Sequence, residues 1–127
     1  MAMADTEKKQ ILIIDDDKNI VIALKYYLSL EGYDVLAASN GNHAFQLLNT
    51  NTPDLILLDI KMPVMNGYLF SQMLKTKEKY KNIPIILITA TPNMTGGIQL
   101  HSNCDDILKK PFNNEDLLKK IHKHLVL

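Results

Sequence analysis

Two kinds of segment alternate along the chain. The first is a short apolar run, mostly rich in β-branched residues: Ile11-Leu12-Ile13-Ile14, Tyr33 to Ala38, Leu55-Ile56-Leu57-Leu58, Ile85-Ile86-Leu87-Ile88 and Asp106-Ile107-Leu108. Three of the five are nearly continuous in hydrophobicity, the pattern of strands buried on both faces. The second kind repeats apolar residues at helical spacing. Ile20, Leu24, Tyr27 and Leu28 mark one helix, with Asp17 placed to cap it. Ala44, Leu47 and Leu48 mark a second, and Phe70, Met73 and Leu74 a third. Leu117, Leu118, Ile121 and Leu125 mark the last, behind a capping Asn113 or Asn114 and an acidic first turn. Between the fourth and fifth strands, segment 93–101 is a poor helix former. It holds Gly96-Gly97, and each Gly is about 1 kcal/mol worse than Ala in a helix interior.

Strands alternating with helices predict right-handed βαβ units. Five such units predict an α/β fold, a doubly wound (βα)5 flavodoxin-like sandwich with a parallel five-stranded sheet in the order 2-1-3-4-5. In such sheets ligands bind beyond the carboxyl ends of the strands. There the chain carries Asp15-Asp16-Asp17 after the first run, Asp59 after the third, Thr89 after the fourth and Lys110 after the fifth. Asp15, Asp16 and Asp59 brought together repel one another and call for a cation. An oxygen-only donor set without His or Cys suits Mg²⁺. Lys110 adds a positive charge, and the Thr89 hydroxyl can donate to an oxyanion. A divalent metal, a lysine and a hydroxyl around one carboxylate are the parts that phosphoryl transfer to that carboxylate needs. Such catalysis is mostly positioning and charge neutralisation.

On these residues the chain resembles the response-regulator receiver family from about Lys9 to Leu127. Ile-Ile-Asp15-Asp16 is similar to the family's acidic pair. Asp59-Ile-Lys-Met-Pro63-Val-Met-Asn-Gly67 is similar to its phosphoacceptor segment, Ile88-Thr89-Ala90 to its switch threonine, and Lys110-Pro111-Phe112 to its lysine motif. The resemblance implies that Asp59 takes a phosphoryl group from the phosphohistidine of a sensor histidine kinase or phosphotransfer protein. It implies direct Mg²⁺ binding by Asp16, Asp59 and the backbone carbonyl of Lys61, with Asp15 acting through water. Thr89 and Lys110 would contact the phosphoryl group, the Lys110-Pro111 bond would be cis, and Asp17 would lie outside the site. An unknown output partner would be met by the face formed by segment 93–101, the last strand and the last helix, with a homodimer as one form. The protein would be a signalling switch that assists its own phosphotransfer and dephosphorylation, not an independent enzyme. Ile107 departs from the family, which commonly has Tyr or Phe three positions before the lysine. Lys61 and Thr91 occupy the two positions that, in the family, line the phosphoryl site and tune its hydrolysis. With Ile107 and the poor helix, the alternative is a phosphorylation-independent pseudo-receiver interaction module.

Composition narrows the classes further. At 127 residues the chain fits one domain, and 46% hydrophobic content is ordinary for a globular one. The 14 basic residues, all Lys, balance 14 acidic ones. That balance argues against direct nucleic-acid binding by this domain, which would favour basic excess and Arg. Cys104 is alone, so no internal disulfide is possible, as suits a reducing compartment. No run approaches a membrane span, and the polar start MAMADTEKKQ lacks a signal-peptide core. Residues 1–8 therefore read as a flexible tail, 9–127 as the receiver domain, and the expected location is the cytoplasm. The run Lys75 to Lys81 reads as a solvated helix end. His122 and His124, two apart on a helix, and His101 make no metal site and read as surface or capping residues.

Overall fold

The computed structural model describes residues 8–59, 67–90 and 104–125. Five strands, β1 (Gln10–Ile14), β2 (Asp34–Ala38), β3 (Leu55–Asp59), β4 (Ile85–Thr89) and β5 (Asp106–Lys109), form one sheet. All pairings are parallel and the order is β2-β1-β3-β4-β5. The described helices are α1 (Lys18–Leu30), α2 (Gly41–Leu48), α3 (Gly67–Lys75) and α4 (Asn114–Leu125). The doubly wound sandwich expected from the alternation of segments is thus the observed one. The predicted weak helix over 93–101 lies outside the described residues.

Strand alternation explains the continuous apolar runs. Leu12, Ile14, Ile56, Leu58, Ile85 and Leu87 point to one face, where they bury Ala44 and Leu48 of α2 and Phe70 and Leu74 of α3. Ile11, Ile13, Leu55, Leu57, Ile86 and Ile88 point to the other, against Leu24 and Leu28 of α1 and Leu117 and Ile121 of α4. Each central strand needs apolar residues at every position because both of its faces are covered. The edge strands β2 and β5 show a mixed pattern of burial instead.

Helix starts follow capping chemistry. Asp17 caps α1, Asn40 caps α2 through a 2.8 Å bond from the His43 amide, and the Asp116 amide donates to Asn113 Oδ1 at 2.8 Å. Two readings change. Met73 is 41% exposed, so the core face of α3 is carried by Phe70 and Leu74. Lys75 is no solvated helix end. Its ammonium donates to the Lys81 and Ile83 carbonyls at 3.1 and 2.8 Å and pairs with Asp105 at 3.1 Å, tying the end of α3 to the starts of β4 and β5.

Candidate functional site

Parallel strands end together, so the polar residues that follow β1, β3, β4 and β5 share one edge of the sheet. Asp59 is the last residue of β3 and pairs in register with Ile88. Thr89 ends β4 opposite Lys109, and the Lys110 amide donates to the Thr89 carbonyl at 2.8 Å. Asp15 follows β1 and is fixed there by its amide, which donates to the Ala38 carbonyl at 3.1 Å. The Lys110-Pro111 peptide bond that follows β5 is cis.

This geometry gathers the three carboxylates. One oxygen from each of Asp15, Asp16 and Asp59 lies within 4.8 Å of the others; Asp15 and Asp59 are buried and Asp16 is exposed. The Lys110 ammonium stands 3.8 Å from Asp59 Oδ1. Thr89 is buried at the next strand end. Burial raises the Asp15 pKa from 3.8 to about 6, and the charges of Asp59 and Asp16 add to the rise. The Asp17 amide and Lys110 act against it. Packed negative charge of this kind, offered entirely by carboxylate oxygens, fits a hard divalent cation such as Mg²⁺.

Of the residues proposed from sequence, Asp15, Asp16, Asp59 and Lys110 come together and Thr89 ends the neighbouring strand. Lys61, whose carbonyl was the expected third metal ligand, and Thr91 lie outside the described residues. Ile107 is half-buried and packs, with Cys104, against the core on the α2 and α3 side, so it fills apolar space there. Among the described residues no helix is long and apolar enough to cross a membrane.

Sequence reasoning missed one charged network at the opposite ends of the strands. Asp106, at the start of β5, meets Lys120 at 2.9 Å, His124 at 3.0 Å and Lys123 at 3.8 Å. Lys120 and His124 stand four apart on α4 and so share a face, which was the available signal. Burial alone would raise the Asp106 pKa, but hydrogen bonds with Lys120, His124 and the Ile107 amide bring it down to about 2. The folded value lies below the ordinary 3.8, so this carboxylate stabilises the fold above about pH 4, and the contribution is lost as pH falls towards 2. Asp106→Asn is expected to lower stability by about 2 kcal/mol at pH 7 and by little at pH 2. Urea melts of both proteins at the two pH values check this. An equal loss at both would contradict it.

The fold and the acidic site define a class, and comparison with known proteins gives it a family. The family model described as "Response regulator receiver domain" matches residues 11–122, and the chain belongs to that family. It is a receiver domain of the two-component response-regulator type. The transcriptional regulatory protein CpxR homolog of Haemophilus influenzae is 38% identical over 88% of this chain and 48% of its own length. The chain spans about half the length of the curated relatives it matches. Among solved structures, chemotaxis response regulator CheY4 of Vibrio cholerae superposes with a TM-score of 0.86 at 30% identity, covering 93% of this chain and 99% of that one. Response regulator TrrA of Thermotoga maritima, solved in complex with Mg²⁺-BeF, matches with a TM-score of 0.82 at 34% identity over 92% of this chain and 99% of its own.

Proposed function

We propose that Asp59 is the phosphoacceptor of a phosphorelay switch, working with Mg²⁺ held by Asp16, Asp59 and the Lys61 carbonyl, and by Asp15 through water. One observation carries the reading: the carboxylates of Asp15, Asp16 and Asp59 meet within 4.8 Å, with Lys110 3.8 Å from the buried Asp59. An Asp59 oxygen attacks the phosphorus of a phosphohistidine; the P–O bond forms as the P–N bond breaks, and the imidazole leaves with the electron pair and takes a proton. Lys110 pairs with the phosphoryl oxygens, and Thr89 donates its hydroxyl to them. The metal, when bound, neutralises the negative charge that gathers on phosphoryl and carboxylate oxygens. The complete acidic set beside Lys110 speaks against the phosphorylation-independent module.

The phosphoryl donor in this reading is a sensor histidine kinase or a phosphotransfer protein, and the setting is the cytoplasm. Output runs through a partner met on the β5 and α4 face, with a homodimer as one form, and with no membrane or nucleic-acid contact by this domain. The domain assists its own phosphorylation and dephosphorylation and performs no independent reaction. Acetyl phosphate with Mg²⁺ is expected to add a single phosphoryl group, seen by intact mass. Asp59→Asn is expected to take up none. An unchanged wild-type mass, or a shift surviving that substitution, sinks the proposal.

A further inference from the structure

Asp17 is the third residue of the acidic run, yet its carboxylate is not part of the cluster formed by its two neighbours and Asp59. It turns instead to the start of α1. There Oδ1 accepts from the Asn19 amide at 2.9 Å and the Ile20 amide at 3.3 Å. Those bonds cap the first turn of α1 and hold Asp17, the one residue between Asp16 and the helix, with an extended backbone at φ −86° and ψ 104°. The amide so fixed is the one that matters to the site. The Asp17 N–H donates to Asp15 Oδ1 at 2.9 Å. Asp15 is buried, so this bond sets the plane in which its carboxylate faces the cluster. The outer partners of metal-site carboxylates orient them in this way.

We infer that Asp17 is a positioning residue for the divalent-cation site, acting through the chain of bonds from its capping carboxylate to its own amide to Asp15. The inference rests on the reading above that the cluster takes Mg²⁺. Its mechanism is geometric. What counts is an acceptor oxygen at position 17 that anchors the turn, not the charge that the oxygen carries.

The substitutions separate those possibilities. Mg²⁺ is titrated calorimetrically into the full chain at 25 °C. Asp17→Ala removes the anchor and is expected to weaken Mg²⁺ binding roughly tenfold. Asp17→Gly is expected to weaken it similarly while keeping most of the helix-start stability, because Gly is tolerated at a cap. Asp17→Asn and Asp17→Ser keep a capping oxygen and are expected to stay within about twofold of wild type. Asn40→Ala removes the corresponding cap of α2, whose side-chain oxygen accepts from the His43 amide and is bonded to none of the three cluster carboxylates. It is expected to lower the melting temperature much as Asp17→Ala does, with Mg²⁺ affinity unchanged.

Wild-type affinity in both Asp17→Ala and Asp17→Gly would overturn the inference. So would an equal loss in Asn40→Ala, which would make the effect one of general stability, or an equal loss in Asp17→Asn, which would make it one of charge. Wild-type protein that binds no Mg²⁺ would overturn the parent reading along with this one. Wild-type binding that Asp17 substitutions leave intact would overturn this one alone.

Discussion

Phe70→Ala is expected to lose roughly 3–5 kcal/mol of stability, the range for removing a buried aromatic ring from a core. Phe70 is fully buried between α3 and the sheet, beside Leu58 and Leu87, and its ring lies 4.8 Å from that of Phe45. Truncation leaves a cavity bounded by β3, β4 and two helices, which cannot all close on it. For a chain of this length the loss corresponds to a fall in melting temperature of roughly 10–20 °C. Met73, three residues on, provides the contrast. It carries the same helical spacing in the sequence but is 41% exposed, so Met73→Ala should shift stability by no more than about 0.5 kcal/mol. Calorimetric melting of the two variants decides the point, and similar losses from both would mean that α3 is rotated about its axis relative to this packing.

That pair of residues marks where the sequence was and was not informative. The strands were legible because a strand covered on both faces must be apolar at every position, and β1, β3 and β4 are. The ends of those strands were legible for the same reason: Asp15, Asp59 and Thr89 stand out where an apolar run stops. Helix spacing is less exacting. An apolar residue at i+3 from Phe70 reads as core, yet a helix of nine residues can turn it to solvent without leaving the pattern. Longer-range charges were the least legible. Lys75 sits in a lysine-rich stretch that looks solvated, and only the approach of β4 and β5 supplies the carbonyls and the carboxylate that it meets. His124 likewise gains its role from Asp106, which stands 18 positions earlier in the chain. Neither partner is set by spacing along the sequence; for His124 the pattern offered only the helix face that it shares with Lys120. Asp17 was legible as a cap and was set aside for the site. The bond from its amide to Asp15 depends on the turn taken by the chain between β1 and α1.

Asp15→Asn is expected to stabilise the metal-free protein at pH 8 while reducing its response to Mg²⁺. The Asp15 pKa is raised to about 6 from 3.8, chiefly by burial, so the folded protein holds a proton there more tightly than the unfolded chain does. The raised value makes the favourable contribution complete below about pH 4; it is lost as pH rises through about 6. Above that, the buried charge lowers stability by up to about 3 kcal/mol relative to the protonated state. Asn removes this penalty and still offers an oxygen to the Asp17 amide. Mg²⁺ acts on the same term from the other side. It requires the ionised carboxylates, so its binding competes with the proton, and a ligand that binds only the native state raises stability. Millimolar Mg²⁺ should therefore raise the wild-type melting temperature more at pH 8 than at pH 5. The window for Asp15, about pH 4 to 6, lies above that for Asp106, about pH 2 to 4, so the two titrations separate. Calorimetry of wild type and Asp15→Asn in EDTA and in Mg²⁺ at both pH values tests the account. It fails if the variant is no more stable than wild type in EDTA at pH 8, or if Mg²⁺ stabilises wild type equally at both. Success would show that the fold carries the cost of a buried carboxylate, increased by its acidic neighbours, as the condition for a cation to bind there, so that stability and metal affinity are opposed at one residue.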